Sequence, residues 1–366
     1  MASIQDLPDE ITLKIIYFLN IKDLVKFGRV SKRIRRIRSD KSVWQKINLS
    51  KCSPECRGYY IDLPTDLVKM VIENGCKYLS LYNVKLGPIF MGSEGGLRLD
   101  KSSSLIYLDL KYCEANVEIF EEILASCHSL QKLSMASKGQ RPIHPLTLEK
   151  SACLTSNMIQ CIWYQNGQTL QTLNLRSCSG LDLESIQKST KNCVELKNID
   201  LASTELSKDS INFLVANLNL KVEKIDFGCL TNFTDEHLKA LVTRCNKISV
   251  LSLLNTSITN DSLTHIIENL QQTLEKLDIY LCEDVTYAKL TKLKSMPKLK
   301  DLNYMGSAGE IQNLKNVMPY VRIGEMITVD ERELSPADGI WDVETEQLEF
   351  ACEKNKFQDL TKDWLM

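Results

Sequence analysis

One short phrase recurs along the chain: an apolar residue, two variable positions, a second apolar residue, one variable position and a third apolar residue. It starts at Cys76 (CKYLSLYN), Leu105 (LIYLDLKYC), Leu130 (LQKLSMAS), Leu170 (LQTLNLRSC), Leu196 (LKNIDLAS), Val222, Ile248, Leu274 and Leu299, with a degenerate copy at Trp44 (WQKINLS). From Leu170 onward the starts at 170, 196, 222, 248, 274 and 299 are separated by 26, 26, 26, 26 and 25 residues. Alternation at period two over so short a run predicts a strand with one face in a core. The stretches between, such as 210–218, 236–245 and 262–270, space their apolar residues by three and four and predict helices.

A strand–helix unit of this size can bury its apolar face only against its neighbours. The pattern therefore predicts an α/β leucine-rich-repeat solenoid of about ten repeats of ~26 residues, with ends that must be capped. Two intervals are longer, with GPIFMGSEGG (87–96) and SKGQRPIHPLTLEKS (137–151) inside them. Such insertions form loops on one rim of a solenoid.

The stretch before the repeats has the helical period instead. Leu7, Ile11, Ile15, Phe18 and Leu19, then Leu24, Phe27, Val30, Ile34 and Ile37, recur at steps of three and four. Pro8 suits a first helical turn, and Asp9 and Glu10 suit a helix N-terminus. Gly28 and Ser31 mark a break before a helix over 31–38. About forty residues are too few to enclose a core alone, so this cluster must pack on something else.

Leu7-Pro8-x-Glu10, Ile15, Leu19, Leu24, Val30, Lys32-Arg33, Ser39-Asp40 and Trp44 resemble an F-box, in order and without gaps. Ile34 stands where many members place Trp, and Lys22 where Pro is common. With the repeats behind it, the chain resembles the F-box/leucine-rich-repeat family. The end of the array, LTKLKSMPKLKDLNYMGSAGEIQNLKNVMPYVRIG, with GIWDVETEQLEF after it, is similar to a cell-cycle member of that family. The resemblance implies three segments: a three-helix F-box over 1–48, a solenoid over 49–323 and an acidic tail over 324–366 that docks on the concave face. It also implies a Skp-type adaptor bound by the F-box, a cullin–RING ubiquitin ligase reached through it, and a target protein on the concave face. A small cyclin-kinase-associated accessory subunit is a further implied partner. The residues expected to meet the adaptor are Leu7, Pro8, Glu10, Ile11, Ile15, Leu19, Leu24, Val30 and Trp44, some of them shared with the segment's own core, Trp44 first among these.

Composition changes this picture little. Hydrophobic residues make up 43% of the 366, charged ones 25%, and the net charge is −2. Charge is uneven: residues 1–50 hold 11 basic and 5 acidic side chains, and 324–366 hold 4 and 12. No run of 18 apolar residues occurs and the N-terminus lacks a signal-peptide pattern, so no membrane partner is expected; the expected location is nucleus and/or cytoplasm. The cysteines at 76, 113, 127, 178, 193, 229, 245 and 282 fall at fixed places in the repeats, as small buried residues rather than disulfides. The run Lys32-Arg33-x-Arg35-Arg36-x-Arg38 has no aromatic interleaving and reads as a solvated helix face, with nuclear import as a second use; no nucleic acid is expected.

The repeat phrase also indicates which residues face outward. A polar column runs Ser80, Asp109, Ser134, Asn174, Asp200, Asp226, Ser252, Asp278 and Asn303. Asp, Asn and Ser are common at this place of a repeat, which outweighs an acidic ladder. The adjacent column, Ala202, Gly228, Leu254, Tyr280 and Met305, is less polar than a solvated face and suggests an interface. Basic residues on the same face are Lys111, Lys132, Arg176, Lys224 and Lys276, where phosphate recognition would favour Arg176. Candidate partner-binding residues are thus Lys132, Arg176, Lys224, Leu254, Lys276, Tyr280 and Met305. No catalytic constellation, metal-ligand set or nucleotide loop is present: the four histidines lack partnered spacing, and Cys52 and Cys56 form a lone pair. The expectation is a non-enzymatic substrate receptor of an SCF-type ubiquitin ligase with no cofactor. The alternative is a leucine-rich-repeat scaffold or inhibitor with no role in ubiquitination.

Overall fold

A computed structural model describes residues 7–17, 19, 24, 26–49, 61–87, 99, 103–136 and 154–324. The described residues divide into two units, those up to 130 and those from 131 to 324. The tail expected on the concave face, the insertion 137–151 and the insertion at 87–96 beyond Gly87 lie outside the described residues.

In the first unit, α1 (Asp9–Ile16), α2 (Lys32–Arg38) and α3 (Lys41–Trp44) form the helical cluster. Leu24, Lys26 and Phe27 are also helical. The Ser31 Oγ accepts the Ile34 N–H at 3.1 Å and caps α2; the Asp40 carboxylate accepts the Ser42 N–H at 2.8 Å and caps α3. Ile16, Leu24, Ile34, Ile37, Val43 and Trp44 fill the core. Trp44 is 1% exposed, and its indole N–H donates to the Arg38 carbonyl at 2.8 Å, tying α3 to the end of α2. Arg33 and Arg36 both donate to Asp9 at 2.8 Å, holding α1 against α2.

Directly after Trp44 comes β1 (Lys46–Asn48), which pairs in parallel with β3 (Tyr78–Ser80), which in turn pairs with β5 (Tyr107–Asp109). The Gln45 carbonyl accepts the Lys77 and Tyr78 N–H groups at 3.0 and 2.9 Å. The degenerate phrase at Trp44 is therefore a true first strand, and the helical cluster joins the repeats without a linker. Helices α4 (Thr65–Glu73) and α5 (Val117–Ser126) follow the pattern. A second parallel pair, β2 (Ile61–Pro64) with β4 (Val84–Gly87), was not legible in the sequence.

The second unit continues the repeat. Strands β6 (Lys132–Ser134), β7 (Thr172–Asn174), β8 (Asn198–Asp200), β9 (Lys224–Asp226), β10 (Val250–Ser252), β11 (Lys276–Asp278), β12 (Asp301–Asn303) and β13 (Arg322–Ile323) pair in parallel in chain order. The register is in step: Lys224 lies opposite Val250, Val250 opposite Lys276 and Lys276 opposite Asp301. Middle residues point into the core, and Leu173, Ile225, Leu251, Leu277 and Leu302 are fully buried. Between strands lie α6 (Ser156–Gln160), α7 (Leu183–Asn192), α8 (Lys208–Asn217), α9 (Asp235–Arg244), α10 (Asn260–Leu270), α11 (Tyr287–Leu290) and α12 (Ala308–Val317). One π-helical stretch, Cys161–Gln165, extends α6.

The polar column is not outward. Asp109, Asn174, Asp200, Asp226 and Asp278 are each at most 5% exposed, and each accepts the backbone N–H two residues on, at 2.9–3.0 Å. One residue further, the chain turns through a left-handed conformation at Tyr112, Ser177, Ser203, Cys229 and Leu281, with Asn83 and Asn255 doing the same in their repeats. The column thus builds the turn after each strand, as Asx side chains do. Cys76, Cys127, Cys178, Cys193, Cys245 and Cys282 are buried as expected, while Cys113 and Cys229 are partly exposed. His237 serves a structural role: its Nδ1 accepts the Thr234 N–H at 3.0 Å in a capping box.

Candidate functional site

Two surfaces carry exposed apolar side chains. On the helical cluster, Pro8 and Glu10 are exposed, Ile11 is 41% and Val30 52% exposed, and Leu7, Ile15 and Leu19 are half-buried. Leu24 and Trp44 are buried in the cluster's own core, where they shape the surface from beneath. Tyr17, at the end of α1, is 51% exposed and joins this surface. It was missed because an aromatic at the last turn of an apolar helix reads as core. Exposed aliphatic and aromatic residues over a filled core have the character of an interface.

Asp9 organises the polar edge. Hydrogen bonds from Arg33, and then from Arg36, hold its carboxyl below the usual range. Arg33 also donates to the Leu7 carbonyl at 2.5 Å, fixing the start of α1.

On the strand face of the second unit the candidate residues separate. Lys132, Lys224 and Lys276 occupy first positions of their strands and are half-buried. Arg176 is held by two carboxylates: its Nε donates to Asp200 at 3.0 Å and its Nη2 to Asp226. The flanking carboxylates raise its basicity further, against the effect of burial, so its cation is neutralised within the chain. That geometry matches a structural ion cluster better than a phosphate reader. The small side chains at 202 and 228 are buried, whereas Leu254 is half-buried, Tyr280 37% exposed and Met305 45% exposed.

Leu281, 38% exposed, stands beside them. Its φ of 61° is a conformation that a branched side chain rarely adopts. It was missed because strand alternation gives no direction to a side chain on a left-handed turn. Leu281 and Met305 border a recess of about 220 Å³ floored by Ile279, Cys282 and Val285. A second, more polar recess of about 380 Å³ lies among Ser203, Glu205, Cys229 and Asn232. No group of side chains fit to hold a metal ion occurs among the described residues.

Comparison with known proteins follows this division. Residues 4–50 match the F-box-like family, and residues 93–329 match the family described as the SKP2 LRR domain. An Arabidopsis thaliana protein named as an F-box protein is 25% identical over 300 residues, covering 81% of this chain and 77% of its own. F-box/LRR-repeat protein 12 of Mus musculus is 26% identical over 185 residues, 50% of this chain and 49% of its own. Among solved structures, a chain of the yeast Rad7 and Elc1 complex aligns with a TM-score of 0.46 at 15% identity, over 86% of this chain and 92% of that one. Over half of the sequence falls within the second family match, and the chain belongs to the F-box/leucine-rich-repeat family, close to SKP2.

Proposed function

We propose that this chain is the substrate-recognition subunit of an SCF-type ubiquitin ligase. Its helical cluster docks a Skp-type adaptor and through it a cullin–RING core, and its repeats hold a target protein. The observation that carries the reading is the exposed surface of Pro8, Ile11, Tyr17 and Val30 above a core that Leu24, Ile34 and Trp44 already fill. Family membership names the adaptor class that such a surface meets.

On the repeats, Leu254, Tyr280, Leu281 and Met305 form the apolar centre of the target surface, with Lys224 and Lys276 beside it. The chain supplies no nucleophile in this scheme. Tethering raises the effective concentration of the target's lysines near the charged ubiquitin-conjugating enzyme. A cell-cycle regulator as target, with an accessory subunit to present it, is the finer form of the proposal and rests on the likeness to SKP2.

The test is co-purification of the intact chain with a Skp-type adaptor and cullin, beside an Ile11→Asp/Val30→Asp variant. The proposal expects adaptor and cullin with the intact chain only, and accumulation of repeat-bound proteins when the proteasome is blocked. Recovery of neither component with the intact chain would leave a repeat scaffold without a ubiquitin role.

A further inference from the structure

The recess bordered by Leu281 and Met305 joins apolar walls to an uncompensated negative charge. It lies between the turns that follow β11 and β12 and holds about 220 Å³. An apolar cavity of ~150 Å³ takes a benzene-sized guest, whereas small-molecule and cofactor sites run to ~300–1,000 Å³. The recess is thus the size for one large side chain. Its floor offers no free polar group: the Cys282 thiol donates to the Leu253 carbonyl at 3.1 Å, and Ile279 and Val285 are aliphatic. Tyr304 forms one wall. A Cβ on Gly306 would fall 2.5 Å from the Tyr304 ring, so glycine there lets the ring lie against the backbone.

The rim is built for contact. Leu281 and Met305 are both exposed, and the left-handed backbone of Leu281 holds strain of the kind that gathers at binding sites. The flexible thioether of Met305 can adapt to the shape of a guest.

Glu283 also lines the recess, and both it and Asp284 are exposed. Neither makes an ion pair or hydrogen bond among the described residues. At the place of Glu283 one repeat earlier, the Ser257 hydroxyl donates to the Thr231 carbonyl at 2.7 Å and ties two successive turns together. Glu283 ends that series with its carboxylate unmatched. The lysine of the same repeat's strand, Lys276, stands at the strand's opposite end. An apolar slot with carboxylates at its edge is complementary to a large apolar side chain next to a basic one.

We propose that this recess anchors a target segment by one large apolar side chain, Phe, Leu or Met, whose Lys or Arg neighbour meets Glu283. The inference rests on the reading of the repeats as the target-holding surface, and it names the chemistry of the segment held. Peptide binding and adaptor capture are read separately, so failure of this subsite and failure of the ligase reading are distinguishable.

The test is methyl NMR of the full chain carrying labelled methionine, titrated with the peptide Gly-Ser-Gly-Lys-Phe-Lys-Gly-Ser-Gly. The Met305 methyl, assigned by its loss in Met305→Leu, is expected to shift. The affinity should be about tenfold or more above that of the same peptide with Ala for Phe, from burial of the aromatic side chain. Glu in place of both Lys should weaken binding several-fold. Glu283→Gln should shrink that difference and Glu283→Lys should reverse it, each with Tm unchanged. Equal affinity of the Phe and Ala peptides, a shift that spares Met305, or no shift at millimolar peptide overturns the subsite. A preference for Lys over Glu that survives Glu283→Lys overturns the basic neighbour. Displacement by an equal concentration of phenylalanine amide overturns the proposal in favour of a small-molecule site. Displacement by a synthetic peptide of residues 325–366, or a Met305 shift on concentrating the chain alone, would make this chain's own end or a second copy the occupant and overturn the target assignment.

Discussion

Arg176 Nε lies 3.0 Å from the Asp200 carboxylate on the neighbouring strand, and the same guanidinium reaches Asp226 one strand further. The two acids are 4% and 5% exposed in their side chains, whereas Arg176 keeps 33%. One partly exposed cation therefore compensates two buried carboxylates across three repeats. Arg176→Met should destabilise the second unit by about 2–3 kcal/mol, at or below the low end for a broken buried pair because the arginine is partly solvated. Urea unfolding followed by tryptophan fluorescence and circular dichroism measures it. Adding Asp226→Asn should recover part of the loss; an additive double variant would show that the two residues do not interact.

The same cluster sets a pH dependence. Burial, and then repulsion from Asp226, push the Asp200 carboxyl up to about 7; burial pushes Asp278 up to about 6. Both values lie above the ordinary value of 3.8. The folded state then binds more protons than the unfolded chain between pH ~4 and these values. Stability from these groups is full below ~4 and falls as pH rises through 6 to 7. Asp200→Asn keeps an acceptor for the Ala202 N–H but cannot ionise. The stability of the variant relative to the native chain should rise from pH 5 to pH 7.5, by thermal unfolding at each pH. A constant difference would sink the assignment.

Core and surface positions of the F-box should separate. Ile34→Ala removes a fully buried side chain and should cost about 2–5 kcal/mol, losing adaptor binding through unfolding. Ile11→Asp changes a residue 41% exposed and should abolish adaptor capture with Tm within a degree or two of the native chain. Paired melting and pull-down assays distinguish them, and a large drop in Tm for Ile11→Asp would remove Ile11 from the surface.

Leu281 offers a trade of stability against binding. Its left-handed backbone should cost about 1 kcal/mol relative to Asn, which tolerates that region. Leu281→Asn is expected to raise Tm slightly and to weaken target capture by the repeats. Unchanged capture would exclude Leu281 from the target surface.

The strand phrase, the 26-residue interval and the helical stretch before Trp44 were enough to give the repeat architecture and its F-box, because period and burial are local consequences of side-chain alternation. The sequence also showed that Asp and Asn in the polar column are ordinary for the repeat. It could not show that this column is buried, since alternation places it outward. Only the folded turn brings each carboxylate onto a backbone N–H two residues ahead, as Asp226 does with Gly228 at 2.9 Å.

Charge pairing was the other thing left to the tertiary structure. Arg176 and Lys111 looked alike in the sequence, two cations on one face. Folding places Arg176 against Asp200 and Asp226, 24 and 50 residues away, and leaves Lys111 over an aromatic ring. The sequence alone determined the repeat, its strand and helix positions and its family. Which charges are cancelled, which turns are strained and which apolar residues remain uncovered was decided by contacts between successive repeats, because the packing of one repeat on the next fixes the environment of each side chain.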